Sequence, residues 1–357
     1  MIDKYVNSES CFGCWSCHNA CPKKAINMEQ DSIGFLHPRV DYSVCINCGV
    51  CKKACPSINQ YVSKPRLPNV FSTRIKDNGT LFQSTSGGIF TAITDFVLDV
   101  GGFVCGAIFD DNYQVQHIVA NTKEERNQMR GAKYVQSNIN DSFCKIKFLL
   151  DSGNLVLFSG TSCQVHALKL FLKKEYDSLI TIDIVCHGVP SYKMWSNYLS
   201  FIEKKYGEID YLRFRSKKIG WRGNNLEIAL KSGKVLLGTR DSKKYTSLYG
   251  EGFLMRDKCY SCPYTTIFRI GDFSIGDCWG LEKLNSTLND NNGCSLLFIN
   301  NEKAYKIFNK IKDCLIVEER TIPEILQPNL LKPTKKPNKI NEIREKLFES
   351  NFWKKLR

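Results

Sequence analysis

Two copies of one cysteine pattern lie close together near the start of the chain. Each copy reads C-x2-C-x2-C-x3-C-P, the first running from Cys11 to Pro22 and the second from Cys45 to Pro56. Three closely spaced sulfurs wrap around one cubane, and the fourth cysteine of each copy binds the other cluster in bacterial two-cluster ferredoxins. The repeat therefore predicts two 4Fe–4S clusters, one held by Cys11, Cys14, Cys17 and Cys55 and the other by Cys45, Cys48, Cys51 and Cys21.

Zinc is the alternative occupant of these cysteines, because C-x2-C is also a zinc spacing. Structural zinc sites with four cysteines are usually built from two C-x2-C knuckles, not from a repeated triple-cysteine loop followed by proline. The pattern therefore favours iron–sulfur clusters. Two such clusters side by side indicate a relay of single electrons.

The composition is that of a folded chain of two or three domains, with 357 residues, 43% hydrophobic residues and 17 cysteines. The sequence contains no apolar run long enough for a transmembrane helix. The polar N-terminus lacks the apolar stretch of a secretory signal. We therefore expect a cytoplasmic protein in a reducing compartment, where clustered cysteines indicate metal or redox chemistry.

The formal net charge is +14. Each 4Fe–4S cluster with four thiolates adds about −2, so two clusters would leave about +10 and three about +8. A basic chain suits an acidic redox protein, a phosphorylated cofactor or nucleic acid. The sequence lacks a motif that combines aromatic and basic side chains on a surface, so nucleic acid is not an expected partner.

A third set of cysteines is predicted beyond the repeat. Cys259 and Cys262 stand in CYSCP, Cys163 follows a predicted strand, and Cys186 ends the next strand. Adjacent parallel strands bring such ends to one sheet edge, so these four could hold a third cluster, with zinc or no metal as alternatives. Cys278, in GDCWG, is an alternative candidate ligand in this set. The remaining four are expected to be small buried apolar residues: Cys105, Cys144, Cys294 and Cys314.

Hydrophobic patterning predicts a mixed α/β arrangement after the repeat. A strand at 154–158, a helix to about 174 and a strand at 179–185 form a βαβ unit, so part of the sheet is expected to be parallel. The other predictions are a helix at 84–100, strands at 102–109 and 115–120, an antiparallel section at 209–214, 225–231 and 234–238, a last strand at 295–300, and a short helix at 340–356.

These elements predict a multidomain α+β and α/β protein, in which a small bacterial-ferredoxin-like domain precedes a mixed-sheet α/β domain. The expected boundaries are 1–60 for the ferredoxin-type domain, 61–70 for a linker, 71–320 for the larger domain, and 321–357 for a basic C-terminal tail with a short helix.

Three glycine-containing turns have two interpretations each. The segments 84–88 (STSGG), 130–137 (RGAKYVQS) and 160–161 (GT) could approach a phosphate, or they could be ordinary caps and loops. The sequence has neither a Rossmann fingerprint nor a P-loop. His187 lies next to a predicted ligand and is a weak catalytic candidate; a surface or core histidine is the alternative.

Seven motifs follow one another along the chain: STSGGIFTA, RGAKYVQS, FSGTSCQ, DIVCHGVPS, FRSKKIGW, CYSCPY and GDCWG. Over about residues 70–300 the chain resembles the coenzyme F420 hydrogenase/dehydrogenase beta-subunit family, fused behind a two-cluster ferredoxin domain. The resemblance implies an FAD-binding domain with a nearby 4Fe–4S cluster, and cysteines at the positions of Cys163, Cys186, Cys259 and Cys262. Cys278 departs from the family, which usually has an aromatic residue there, so a packing role is expected. The resemblance also implies FAD-binding residues, namely Ser86, Gly87, Gly88, Lys133, Tyr134, Gln136, Gly160 and Thr161.

The resemblance implies an oxidoreductase that passes electrons between ferredoxin-type clusters and a two-electron substrate at FAD. Coenzyme F420 or another ring compound is the expected hydride acceptor or donor, and ferredoxin or another redox protein is the expected partner. A flavin belongs between clusters and substrate because it exchanges one or two electrons. The alternative is an electron-transfer subunit of a larger complex, without a substrate site of its own.

Overall fold

The computed structural model describes residues 1–62, 66–349 and 351–356. Residues 63–65, in the middle of the predicted linker, lie outside the described residues. No helix in these ranges is both long and apolar enough to cross a membrane.

The cysteine repeat folds as a small unit of two short helices and one hairpin. The strands β1 (Ile26–Gln30) and β2 (Leu36–Val40) pair antiparallel. The helices α1 (Ser16–Ala20) and α2 (Val50–Lys53) occupy equivalent places in the two copies, and each ends shortly before the fourth cysteine of its copy. The internal repeat of the sequence is thus also a repeat of local structure.

The larger part of the chain contains an eight-stranded mixed sheet and a separate three-stranded antiparallel sheet. In the large sheet the strands are ordered β13-β3-β12-β11-β7-β6-β4-β5, and in the small sheet β10-β9-β8. Their bounds are β3 Asn69–Ile75, β4 Phe103–Phe109, β5 Val115–Ala120, β6 Val156–Thr161, β7 Leu179–Ile184, β8 Ile209–Arg213, β9 Glu227–Leu230, β10 Val235–Leu236, β11 Phe273–Asp277, β12 Ser295–Ile299 and β13 Leu315–Arg320.

Helices surround these sheets. Their bounds are α3 Asn78–Gln83, α4 Ile89–Asp99, α5 Lys123–Asn127, α6 Ser142–Asp151, α7 Ser162–Leu172, α8 Tyr192–Tyr206, α9 Arg240–Gly250, α10 Glu302–Ile311, α11 Ile322–Ile325, α12 Pro328–Leu331, α13 Ile340–Lys346 and α14 Phe352–Lys355, with short 3-10 helices at Ile2–Lys4, Asp257–Ser261, Leu281–Lys283 and Lys312–Cys314.

The predicted βαβ unit is confirmed, because β6 and β7 pair in parallel with Val156 opposite Leu179 and α7 connects them. The antiparallel section is confirmed as the small sheet. The prediction that 295–300 is the last strand is wrong, since β13 forms a sheet edge after it. The sequence of β13, LIVEER, ends in three charged residues; such an edge strand shows little alternation. The helix predicted from residue 84 begins at Ile89, because residues 84–88 form a loop.

The large sheet is covered on both faces, as expected for a mixed α/β domain. One face packs against α4 and α10 through side chains such as Val97 and Phe308. The opposite face packs against α6 and α7 through Phe143 and Leu168. Successive side chains of a strand lie on opposite faces of the sheet, so Val104 of β4 belongs to the first core and Cys105 to the second.

The N-terminal unit packs closely on the second of these faces. Phe12 belongs to the same core as α6 and α7. Across the boundary, the Ser16 hydroxyl donates to the Ala167 carbonyl at 3.1 Å, and the Asn19 amide donates to the Asn140 carbonyl at 2.7 Å. The two parts are therefore joined by packing as well as by the connecting segment.

The C-terminal segment contributes to a core beneath α8 and the small sheet. Leu347 and Trp353 are buried there, and the Trp353 indole donates to Asn197 Oδ1 at 2.6 Å. The single helix predicted at 340–356 is wrong, because α13 and α14 are separate short helices.

Candidate functional site

One group of four cysteines lies at the surface of the N-terminal unit. We call Cys21, Cys45, Cys48 and Cys51 the outer set. They line a small depression of about 30 Å³ together with Met1, Lys23 and Lys52. Cys48 is exposed, and the other three are half-buried. The fourth cysteine of the first copy thus lies with the first three of the second, in the crossed arrangement that the spacing predicts.

The other four cysteines of the repeat are buried, and we call Cys11, Cys14, Cys17 and Cys55 the inner set. Burial raises the pKa of Cys14, and the neighbouring thiolates of this set raise it further. Burial alone would raise the pKa of Cys11, but a hydrogen bond with His37 and the charge of Arg256 outweigh this effect and lower it. The inner set is therefore a compact group of thiols with a cation beside it.

A third set, Cys163, Cys186, Cys259 and Cys262, lies at the carboxyl edge of the large sheet. Cys163 is in the first turn of α7, Cys186 follows β7, and the other two belong to or follow the 3-10 helix Asp257–Ser261. Burial raises the pKa of Cys186, and the charges of the other three thiolates raise it further, so the four are neighbours. Cys278 lies elsewhere, buried beside Cys294 in a separate core.

Each set offers four thiol sulfurs, which is the ligand set of a 4Fe–4S cluster. The residues present therefore fit three such clusters. No three His, Cys, Asp or Glu side chains within the described ranges are close enough together to hold a single metal ion.

Two of the four remaining cysteines differ from expectation. Cys105 and Cys294 are buried, as predicted for small apolar side chains. Cys144 and Cys314 are exposed, so their predicted burial is wrong. Cys144 lies on α6, and Cys314 is the last residue of the 3-10 helix Lys312–Cys314.

Arg256 and Tyr264 lie between the inner set and the third set. Arg256 is 1% exposed and its guanidinium charge acts on cysteines of both sets. Burial raises the pKa of Tyr264, and thiolates of both sets raise it further, so the residue lies near both sets. The Tyr264 ring packs on Phe12 at 5.6 Å between ring centroids. Tyr264 ends the CYSCPY motif, but the sequence gave neither residue a role, since their contacts join distant parts of the chain.

A cavity of about 600 Å³ opens beside the third set, a size within the usual range of cofactor pockets. All four cysteines of that set line it. Most of the predicted FAD-binding residues line it as well, namely Ser86, Gly88, Lys133, Tyr134, Gln136, Gly160 and Thr161. The structure thus brings the third set and these residues together around one space.

Gly87 does not line the cavity, but it fixes the loop that does. Its N–H donates to the Ser295 hydroxyl at 2.8 Å, and the Ser86 hydroxyl donates to the Cys294 carbonyl at 2.5 Å. A Cβ at Gly87 would lie 2.2 Å from the Thr73 carbonyl oxygen. The loop 84–88 therefore lies directly on the large sheet, and only glycine allows this approach.

Lys133 and Tyr134 bring a cation and an aromatic ring to the cavity wall. The Lys133 ammonium donates to three backbone carbonyls within 3.3 Å, and burial lowers its pKa to about 7. The Tyr134 ring stacks on Tyr249 at 4.6 Å.

The side chains of Gln136 and Thr161 form hydrogen bonds with other residues of the protein. The Gln136 amide donates to the Phe12 carbonyl and accepts from Arg256, so its polar atoms are committed to the contact with the N-terminal unit. Thr161 caps α7 together with Gln164. His187 lines the cavity, and both of its ring nitrogens are within hydrogen-bond distance of partners, Gly250 and Thr334.

Comparison with known proteins finds two family matches. Residues 153–325 match the family described as the C terminus of the coenzyme F420 hydrogenase/dehydrogenase beta subunit, and residues 10–59 match the 4Fe–4S dicluster domain.

The individual proteins that resemble this chain share only 20–32% of their residues with it. The coenzyme F420-dependent sulfite reductase of Methanocaldococcus jannaschii is 22% identical over 364 residues, which cover 99% of this chain and 54% of that protein. The chain therefore spans about half the length of this relative. An uncharacterised ferredoxin of the same organism is 32% identical over 56 residues, covering 16% of this chain and 71% of the ferredoxin. A chain of the F420-reducing [NiFe] hydrogenase complex from Methanosarcina barkeri aligns with a TM-score of 0.49 at 20% identity, covering 82% of this chain and 93% of the other.

Proposed function

Residues 153–325 belong to the coenzyme F420 hydrogenase/dehydrogenase beta-subunit family and residues 10–59 are a 4Fe–4S dicluster domain, and from this premise we propose that the chain is an iron–sulfur flavoprotein oxidoreductase. It would pass electrons between ferredoxin-type clusters and a two-electron ring substrate, of which coenzyme F420 is one candidate. The observation that carries the proposal is that the third set of cysteines and the predicted FAD-binding residues line one cavity.

The proposed order of electron transfer follows from the burial of the cysteine sets. The outer set reaches the surface at Cys48, where a redox partner can approach it. The inner set is buried and lies beside Arg256 and Tyr264, which are also near the third set. The third set opens into the large cavity. The sequence of sites is therefore outer set, inner set, third set and cavity, in either direction.

FAD bound in the cavity would supply the exchange between one-electron and two-electron chemistry. The chain's own residues bind and orient it in this proposal. The loop 84–88 brings backbone and hydroxyl groups to the wall without side-chain bulk, and Lys133 provides a cation for the diphosphate. The four cysteines of the third set line the same cavity, so they would share one space with the bound FAD.

The proposed partner is a ferredoxin or another acidic one-electron carrier, because the formal net charge is strongly positive and lysines flank the outer set. A reducing cytoplasm is the proposed location, because iron–sulfur clusters held by cysteines suit a reducing compartment. The alternative function is an electron-transfer subunit of a larger complex, and the observation that favours it is that the chain spans only 54% of the sulfite reductase relative.

The proposal is tested on protein purified without oxygen, by iron analysis, visible spectrum and release of flavin on denaturation. We expect about 12 irons per chain from three 4Fe–4S clusters, and about eight in Cys262→Ser. Cys144→Ser is the matched control, because Cys144 is an exposed cysteine outside the three sets and should leave the iron content unchanged.

About eight irons in the wild-type protein, unchanged in Cys262→Ser, would exclude the third cluster. Full iron with no flavin, and no uptake of added FAD, would exclude the flavoprotein. Turnover of coenzyme F420 by the isolated chain separates the oxidoreductase from the electron-transfer subunit, which would reduce no ring substrate alone.

A further inference from the structure

One buried ion pair lies beside the third set of cysteines. Arg269, in the loop before β11, is 8% exposed, and Asp183 of β7 is fully buried. The Arg269 guanidinium donates to Asp183 Oδ1 through Nε at 3.0 Å and also through Nη2. The other carboxylate oxygen accepts from the backbone N–H groups of Ile270 and Gly271, at 3.2 and 2.7 Å. Asp183 therefore holds both the guanidinium and the backbone next to it.

The other hydrogen bonds of Arg269 reach all three segments that carry the third set. At the start of α7, the Ser162 hydroxyl accepts from Nη2 at 2.9 Å. At the end of β7, the Ile184 carbonyl accepts from Nη2 at 3.0 Å. In the CYSCPY segment, the Tyr264 carbonyl accepts from Nη1 at 2.8 Å. Within two residues of these three partners lie Cys163, Cys186 and Cys262, respectively.

One of the three segments depends on such side-chain bonds for its position. Residues 262–272, all within the described ranges, contain neither a strand nor an α-helix. The backbone bonds of regular structure therefore do not fix this loop against the sheet, and its polar groups need other partners. The planar fork of an arginine can bond several acceptors in fixed directions, which makes Arg269 suited to join the loop to α7 and β7.

The ion pair also places charge beside the cluster ligands. Burial raises the pKa of Cys262, and the charge of Arg269 acts in the opposite direction. Because both members of the pair are buried, water and salt screen their charges much less than at the surface. Removing either charge alone would therefore change the electrostatic environment of the third set.

We propose that Arg269 is a positioning residue for the third cluster. Its guanidinium holds the three ligand-carrying segments at the separation that one cluster requires, and Asp183 holds the guanidinium. The two opposite charges also set the reduction potential of that cluster, because they are buried next to its ligands. This inference rests on the proposed function, since it requires an iron–sulfur cluster in the third set.

The experiment uses the full-length chain, purified without oxygen. Iron per chain and the thermal unfolding midpoint are measured for each variant. A redox titration followed by electron paramagnetic resonance gives the potential of the third cluster in the chains that retain it. Cys262→Ser, which is expected to lack this cluster, provides the reference spectrum.

The two charge variants are expected to shift the potential in opposite directions. Arg269→Met leaves the carboxylate alone and should lower the potential, because reduction adds negative charge to the cluster. Asp183→Asn leaves the guanidinium alone and should raise it. We expect each shift to be a tenfold change in the one-electron equilibrium, which is about 59 mV. A loss of packing alone would not give opposite signs.

Arg269→Lys tests the geometry, because it keeps the charge but replaces the planar fork by one ammonium group. We expect about four irons fewer per chain, with the two N-terminal clusters retained. Arg126→Lys is the matched control, because Arg126 is a buried arginine that pairs with Asp95 away from the three sets. It should leave the iron content and the potential unchanged.

Removing one partner of a buried ion pair can unfold a protein, so the double variant Arg269→Met with Asp183→Asn removes both charges. We expect it to fold, to keep the N-terminal clusters and to lose the third. Full iron in the double variant and in Arg269→Lys would overturn the inference, as would shifts of the same sign in the two charge variants. Loss of all iron in the double variant would also overturn it, because the pair would then serve general folding. About eight irons in the wild-type protein would instead contradict the proposed function.

Discussion

The Arg256 guanidinium donates through Nη1 to the backbone carbonyl of Cys11 at 3.2 Å, although 245 residues separate the two in sequence. Nη2 donates to the Leu36 carbonyl at 2.8 Å, and Nε donates to Gln136 at 2.9 Å. A Cβ at Gly13 would lie 2.6 Å from Nη2, so the loop between the first two cysteines needs glycine there. Arg256 is thus a buried cation that ties the N-terminal unit to the larger domain.

Replacing Arg256 is expected to change the reduction potential of the inner cluster. In Arg256→Met we expect the reduction potential of the inner cluster to fall, because a positive charge that stabilises the more negative reduced state is removed. The carbonyls of Cys11 and Leu36 would lose their donor, at a cost of about 1–3 kcal/mol each. A redox titration followed by electron paramagnetic resonance measures the potential.

Lys258→Met is the control for charge alone, because Lys258 lies near Phe12 but makes none of these bonds. It should shift the potential less than Arg256→Met. Equal potentials in Arg256→Met and the wild-type protein, with full iron content in both, would contradict the assigned role of Arg256.

A second prediction concerns the loop that lies on the large sheet. Gly87→Ala would place a methyl group 2.2 Å from the Thr73 carbonyl oxygen and 2.6 Å from the Ser295 nitrogen. Both atoms belong to the backbone, so the loop has to move, at a cost of about 1–3 kcal/mol. We expect a clear loss of bound flavin, measured as flavin per chain together with the thermal unfolding midpoint.

Gly79→Ala is its control, because Gly79 is exposed in α3 and a Cβ there makes only an ordinary contact, 3.4 Å from the Asp77 side chain. Alanine should stabilise this helix slightly. Gly87→Ala protein with wild-type flavin content and stability would show that the loop has another position in solution.

Lys133 predicts a pH dependence of FAD binding to the flavin-free protein. Burial lowers its pKa to about 7, so the ammonium is largely neutral above that pH. A diphosphate favours the charged form, and binding therefore takes up a proton at higher pH. Affinity should be greatest below pH 7 and should fall as the pH rises towards 9.

Reconstitution across this pH range measures the effect, and Lys133→Met should flatten the profile while lowering affinity. Lys217, whose burial also lowers its pKa to about 7, accounts for any remaining slope. A profile in Lys133→Met as steep as in the wild-type protein would show that Lys133 does not bind the diphosphate.

The cysteine sets could be predicted because the spacing of the cysteines along the chain indicates which of them can bind one cluster. The two copies of the repeat specify which sulfurs lie together, and the strands before Cys163 and Cys186 end at one sheet edge because β6 and β7 are parallel. The mixed sheet could be predicted for the same reason, since β6, α7 and β7 each carry a clear pattern. Local signals therefore indicated the fold class and the candidate ligands.

The residues that the sequence did not reveal act over long separations. Arg256 and Cys11, or Arg269 and Ser162, meet only after the sheet and the N-terminal unit have packed, and a lone arginine carries no local signal of a distant partner. Edge strand β13 was missed because its sequence, LIVEER, ends in three charged residues and shows little alternation. The cavity itself is formed by loops from many parts of the chain, so its lining could not be read from any one motif.

The last prediction concerns the entry point for electrons. Deleting residues 1–60 would remove the partners of Arg256 and Gln136 from a buried interface, so a single substitution is the cleaner test. Cys48→Ser removes an exposed ligand of the outer set, and we expect about four irons fewer per chain. Reduction by ferredoxin should be lost, because its first acceptor is gone, while a two-electron donor at the cavity should still reduce the flavin.

A second variant separates docking from electron transfer at the same surface. Ile46 is 57% exposed and lines the outer depression beside Lys23 and Lys52. Ile46→Glu should keep the full iron content but raise the ferredoxin KM, because it places a negative charge where an acidic partner is expected to contact the chain. If Cys48→Ser protein that lacks the outer cluster accepts electrons from ferredoxin at the wild-type rate, the outer set is not on the path and electrons enter closer to the third set.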